Sequence, residues 1–196
     1  MTLEFGRPET VTIPTVLTER LVLRGWRLDD VQPYLRMALH PEMSRYTTSP
    51  SRESGVWNMT AFQIGHWALN HFGMWIIEER QSGEFLGRVG LYEEPGWPGC
   101  EVAWTVRHDR WGEGIATEGA RAAVEFAFTA LGRDRLISII HPENRASIRV
   151  AEKVGLRLAE GPVDRSGEPR NIYALTRAAW VTATASPRQL AMGEGQ

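Results

Sequence analysis

A chain of 196 residues is long for one domain and short for two. Its 42% hydrophobic and 23% charged content suits a compact globular protein, and its near balance of 22 basic against 24 acidic residues, a net charge of −2, excludes a broad basic face for nucleic acid. One cysteine, Cys100, excludes an intrachain disulfide and a multi-cysteine metal site; with no apolar run of membrane-spanning length and no signal-peptide pattern at the start, the expectation is a cytoplasmic protein with no membrane partner.

The elements alternate. Residues 20–27 read as a strand. Leu28-Asp29-Asp30 opens a helix that runs to about Leu39, with Asp29 as its expected cap. Residues 41–52, rich in serine, threonine and proline, read as a loop. Residues 54–71 read as a second helix with Trp57, Phe62, Ile64 and Trp67 on its buried face. Strands follow at 74–79 and 84–92 around Ser82-Gly83, then a Pro/Gly connection to a strand over 101–106. A glycine turn leads into a helix whose Ala116, Ala120, Ala123, Val124, Ala127 and Leu131 share one face. A strand over 135–141, a helix opened by Asn144 or Ser147 and closed by Gly155, and a hairpin of 157–163 with 170–176 complete the pattern. Residues 1–180 are expected to form a single domain, and the small, polar stretch from about 181 to 196 a mobile tail. None of the five histidines pairs at a convincing metal-binding spacing, and Cys100, at a strand entrance, reads as an inert thiol.

Chemistry concentrates after the strand Glu101-Val102-Ala103-Trp104-Thr105-Val106. There Trp111-Gly112-Glu113-Gly114-Ile115-Ala116-Thr117 leads into a fresh helix. The first N–H groups of a helix have no intrahelical partner, the helix dipole favours negative charge there, and glycine admits a ligand close to the backbone. Such a turn suits a phosphate. The lysine of a nucleotide-triphosphate loop is missing, since Ile115 follows Gly114, and the three-glycine dinucleotide fingerprint is incomplete.

With the second segment, Asn144-Arg145-Ala146-Ser147 running on to Glu152-Lys153-Val154-Gly155-Leu156, the chain resembles the GNAT-type N-acetyltransferase superfamily over roughly residues 16–178. Thr18-Glu19-Arg20-Leu21-Val22-Leu23-Arg24 adds a likeness to the branch of the ribosomal-protein alanine N-acetyltransferases. The resemblance implies an α/β fold: a mixed, mostly antiparallel sheet with two parallel strands splayed apart and helices on both faces. It implies acetyl-CoA as co-substrate and no metal. The amides from Gly112 through Ala116 would hold the pyrophosphate, with Thr117 adding a hydroxyl. Trp111 stands where the family often has glutamine or arginine, so Arg107 or Arg110 would supply charge instead. The splay is expected between the strands ending near Val106 and Ile140, with amides around Val106 bonding the pantetheine and one near Thr105 facing the thioester. Asn144 would bridge the pantetheine amide.

The resemblance also implies Glu101 as the base that deprotonates the acceptor amine. The tyrosine that protonates the thiolate in many members falls at Ala151, so Ser147 takes that role by branch likeness, and His141 is a candidate relay. Trp26, Tyr46, Trp75 and Tyr173, with Trp57, Trp67 and Trp97, are candidates to line the acceptor pocket. The first choice of acceptor is a peptide or protein N-terminal amine; a small-molecule amine, aminoglycoside-like or other, is the alternative, with Glu78, Glu79, Glu93, Glu94 and Glu101 as a possible acidic groove. A non-catalytic acyl-CoA sensor and a homodimer stay open.

Overall fold

The computed structural model describes residues 11–46, 50–165 and 167–189, with 186–189 as backbone only. Eight strands form one sheet: β1 (Val16–Leu17), β2 (Leu21–Arg24), β3 (Met74–Glu79), β4 (Phe85–Tyr92), β5 (Glu101–Val106), β6 (Arg135–Ile140), β7 (Arg157–Arg165) and β8 (Glu168–Thr176). Their order is β1-β2-β3-β4-β5-β6-β8-β7. Every neighbouring pair is antiparallel except β5 and β6. That one parallel pair needs a crossover, and α3 (Ile115–Thr129) supplies it.

The helices divide between the two faces. α1 (Val31–Ala38) and much of α2 (Glu53–Asn70) cover one side through Val31, Tyr34, Met37 and Val56, packed on Met74, Ile76 and Phe85. α3 covers the other over Leu23, Trp75, Ile77, Val89 and Leu91, with α4 (Arg145–Lys153) beyond it. The small face expected on α3 is there: Ala120, Ala123 and Ala127 are fully buried, and a Cβ on Gly119 would stand 3.0 Å from Val89. Small residues let the helix lie close to β4.

Four expectations need correction. The strand expected over 20–27 is β2, confined to Leu21–Arg24, because Arg24 turns its guanidinium to Asp30 and the chain leaves the sheet there. Asp30, not Asp29, precedes α1; its carboxylate makes no cap bond into the helix but reaches back to the Arg27 N–H at 2.7 Å, closing the single turn over 28–30. The inward face of α2 is Val56, Thr60, Gln63, His66 and Trp67; of the four residues expected there Trp67 is buried, while Trp57 and Phe62 are about half exposed. Finally, the stretch from Thr182 continues a helix, α5 (Arg177–Gln189), anchored by Trp180 against Phe128 at 5.3 Å between ring centroids. Residues 190–196 lie outside the described residues.

Candidate active site

β5 and β6 pair at one point, Glu101 opposite Ile137, and then part. The Ile137 N–H still donates to the Cys100 carbonyl at 2.9 Å. In a continuing parallel ladder the Ile139 N–H would go to the next carbonyl on β5. Instead it donates to Glu101 Oε1 at 3.1 Å, while the Trp97 indole N–H donates to Oε2 at 3.0 Å. The side chain of Glu101 therefore closes the fork where the ladder ends. It is only 8% exposed, and burial pushes its carboxyl up to about 7 against the two N–H donors that pull it down. A carboxylate that exchanges its proton near neutrality is suited to general base work.

Above the fork, the strand edge is free to bond something else. The Cys100 carbonyl points to β6, whereas the Arg107 N–H bonds Leu86 on the β4 side. Alternation along the strand then turns the N–H groups of Trp104 and Val106 into the gap and that of Thr105 away from it. The amide that faces the gap near the expected thioester position is thus Trp104, not Thr105. The Val106 carbonyl takes the Trp111 indole N–H at 2.7 Å, so Trp111 braces the turn to the strand end.

The gap opens into a cleft of about 410 Å³. One wall is Trp104, Thr105 and Val106; another is Trp111, Gly112, Gly114, Ile115, Ala116 and Thr117; a third is Asn144, Ser147 and Val150 from α4; Met43 and Tyr46 stand at the remaining side. Gly114 sits at φ 82° as the residue before α3 and offers no side-chain cap, so the first amides of the helix stay unpaired by the turn itself. A Cβ on Gly112, at φ 86°, would meet nothing within 4 Å, which leaves the turn's outer face open. Open space, positive φ and bare amides fit a pyrophosphate. The turn is also pinned from behind. Glu118 in the first turn of α3 accepts from Thr18 Oγ1 at 2.6 Å, the Arg20 N–H at 2.8 Å and Arg20 Nε at 2.7 Å, and the Arg20 guanidinium reaches the Glu113 carbonyl at 3.0 Å. This is what the Thr18-Glu19-Arg20 segment does in the fold.

A family model described as acetyltransferase (GNAT) domain matches residues 20–157. The chain belongs to the GNAT acetyltransferase family. It is 35% identical to the uncharacterized protein YkkB of Bacillus subtilis (strain 168) over 102 residues, 51% of this chain and 59% of that protein. An acetyltransferase structure from Agrobacterium tumefaciens str. C58 superposes with a TM-score of 0.75 at 30% identity, over 87% of this chain and 99% of that one. The Mycobacterium smegmatis RimJ structure, in complex with CoA-disulfide, shares the fold with a TM-score of 0.65 at 21% identity, over 84% and 89% of the two chains. The protein is accordingly an acetyl-CoA-dependent acetyltransferase, with the mostly antiparallel, splayed sheet of that family.

Within this GNAT domain the charges around the turn are arranged differently from expectation. Arg110 spends its guanidinium on Glu79, Glu84 and Glu113, and Arg107 on Asp109 and Glu84. Neither brings an uncompensated charge to the cradle. That charge comes from α4, where Arg145, Arg149 and Lys153 line the cleft and have no carboxylate partner among the described residues. Their spacing of four, already present in the sequence, places them in one helical stripe.

Other predicted residues fall as follows. Asn144 Oδ1 caps α4 by accepting the Ser147 N–H at 3.1 Å, and the Ser147 hydroxyl has no protein partner among the described residues. Ala151, at the tyrosine position, is fully buried and serves packing. The Glu113 side chain pairs with Arg110 outside the cleft. His141 accepts the Glu143 N–H through Nδ1 and lies beside Tyr46, 5.1 Å between ring centroids. Tyr46 is the one aromatic of the four foremost acceptor candidates that reaches the cleft. Trp26 bonds the Met74 carbonyl at 2.8 Å, Trp75 the Pro14 carbonyl at 2.7 Å, and Tyr173 packs with β6 in the main core; all three are at most 6% exposed and none lines the cleft. Large aromatic rings found the core because each indole N–H found a backbone acceptor there. Cys100 is buried, and burial pushes its thiol up to about 12.

Proposed function

We propose that this protein moves the acetyl group of acetyl-CoA to a primary amine, the acceptor being the N-terminal amine of a peptide or protein. The observation that carries the reading is Glu101 at the fork: a buried carboxylate, titrating near 7, at the mouth of a strand gap whose far end is a bare helix N-terminus. The turn over Gly112–Ala116 takes the pyrophosphate, Thr117 adds its hydroxyl, and Arg149 and Lys153 balance phosphate charge. Trp104 and Val106 N–H groups bond along the pantetheine, and the Asn144 amide bridges to it.

The co-substrate supplies an acetyl group activated as a thioester. Glu101 accepts one proton from the acceptor ammonium, which frees the nitrogen lone pair. As the nitrogen–carbon bond forms and the carbon–sulfur bond breaks, the Trp104 N–H donates to the carbonyl oxygen. The sulfur leaves with a proton from the Ser147 hydroxyl, which recovers one from the nitrogen. Net, one amide and one thiol form and one proton is released through Glu101. The peptide acceptor rests on the Thr-Glu-Arg-Leu and Asn-Arg-Ala-Ser segments and on the fold shared with the structure named ribosomal-protein-S5-alanine acetyltransferase from Vibrio fischeri. Thiol release from acetyl-CoA, measured across peptides with different N-terminal residues and across small amines, tests it: turnover confined to peptides supports the acceptor class, and absence of coenzyme A binding overturns the whole reading.

A further inference from the structure

Among the described residues, two buried side-chain atoms lack any hydrogen-bond partner: Nε of Arg88 and Oε1 of Gln63. They lie on the same surface. Along β4 and β5 the residues facing α1 and α2 pair as Arg88 with Thr105, Gly90 with Ala103 and Tyr92 with Glu101. Arg88 is held by the sulfur of Met59 at 3.7 Å and by the face of Tyr34, 5.8 Å from the ring centroid, and by no carboxylate among the described residues. From α2, Met59 touches Arg88 and His66 stacks on Tyr92 at 5.5 Å. Gln63 falls between those two on the same helical face, at spacings of four and three, and so lies over Gly90 and Ala103. It is 4% exposed.

The result is a floor of glycine and alanine with Glu101 at one end, Arg88 at the other and Gln63 above. The ends are four residues, about 13 Å of strand, apart at the backbone, and both side chains are long enough to shorten that. Thr105, the cross-strand neighbour of Arg88, lines the cleft. Arg88 also acts on Glu101 through space, lowering its carboxyl.

An enclosed guanidinium N–H without an acceptor and, on the same face, an enclosed amide oxygen without a donor are costly, and each side chain is suited to a carboxylate: Arg88, partly exposed, as a fork of donors, and Gln63 through its NH₂ once the amide turns. We infer that Arg88 and Gln63 form a carboxylate subsite, so that the acceptor is an amine bearing a carboxylate a few bonds from the nitrogen that Glu101 deprotonates. This rests on the acetyl-transfer reading above and narrows it. The carboxylate belongs either to a free amino acid or to an acidic side chain at a peptide N-terminus.

The test is acetyl-CoA-dependent thiol release with paired acceptors, with coenzyme A binding followed by calorimetry in parallel. One arm compares glutamate and aspartate with their diamides; the other compares peptides beginning with Glu or Asp with those beginning with Gln or Asn. The carboxylate member of a pair should have the higher kcat/KM by roughly ten- to a hundredfold, as expected for hydrogen bonds to a charged group. That ratio should collapse toward one in Arg88→Gln and in Gln63→Met through KM for the acceptor, and recover in part in Arg88→Lys, whose charge remains. The arm that shows the effect identifies the source. Turnover without a gap, a gap that survives in Arg88→Gln, or coenzyme A binding with no member of either arm acetylated overturns the subsite. Loss of coenzyme A binding in the unaltered protein overturns instead the acetyl-transfer reading beneath it.

Discussion

Arg24 and Arg88 both point from the sheet toward α1 and α2, and their surroundings are opposite. Arg24 is 8% exposed and meets Asp30 through two bonds of 2.7 and 2.8 Å and Glu78 at 2.6 Å, so that the burial of its charge is matched by two carboxylates. Arg88 meets a sulfur and an aromatic face. A buried charge with partners is part of the fold; Arg88, partly exposed with only its Nε enclosed and unpaired, is the one the proposed subsite assigns to a ligand. The same contrast runs between the cleft and the neighbouring Arg88–Gln63 surface. The proposed coenzyme turn is backbone pinned by Glu118, Thr18 and Arg20, whereas the proposed carboxylate subsite, beyond the cleft lining, is made of side chains with polar atoms still unpaired.

The sharpest break of the comparison is in stability. Arg24→Met strands Asp30 in the core and should cost about 3–5 kcal/mol in denaturant unfolding. Arg88→Met should cost less than about 1 kcal/mol, or stabilise, because it removes an unmatched donor. Equal losses would make Arg88 a structural residue.

Next comes Glu101. Glu101→Gln should lower kcat by roughly a hundredfold or more while leaving acetyl-CoA affinity in place, measured by turnover and by calorimetry. In the unaltered enzyme kcat/KM should rise with pH and level off above about 7, as the carboxyl loses its proton. Stability should run the other way. The folded carboxyl titrates near 7 against an ordinary value of 4.5, so over that window the folded state holds a proton the unfolded chain has released, and stability falls as pH rises. Thermal unfolding between pH 4 and 8 should show that fall in the unaltered protein and a flatter profile in Glu101→Gln.

Smaller effects are expected at the proposed coenzyme turn, where backbone amides would carry the binding. Arg149→Ala with Lys153→Ala should raise KM for acetyl-CoA several-fold, with the difference shrinking as salt is added. The smallest expected change is Asn144→Ala, which removes the α4 cap at a cost of about 1 kcal/mol and also raises KM for acetyl-CoA; a loss of stability alone would leave Asn144 as a cap only.

The sequence by itself determined the parts that depend on neighbours along the chain. The order of strands and helices, the turn at Gly112 and Gly114 and the cap at Asn144 follow from local pattern, and backbone amides at a helix start need no distant partner to be in place. Glu101 was legible as a residue through resemblance, but its role at the fork was not. Only the pairing of β5 with β6 ends a ladder at Glu101, and only the burial that comes with the fold, against the pull of the Trp97 and Ile139 N–H groups, brings its carboxyl to about 7. The acceptor side depended wholly on tertiary structure. Trp26 and Trp75 carry no mark in sequence that separates a core indole from a pocket wall, since the backbone carbonyls that satisfy them, Met74 and Pro14, are set by the packing of distant strands. Likewise nothing local distinguishes Arg24 from Arg88. Whether a carboxylate stands opposite a guanidinium is decided by which strands and helices meet, and that is settled only when the chain folds.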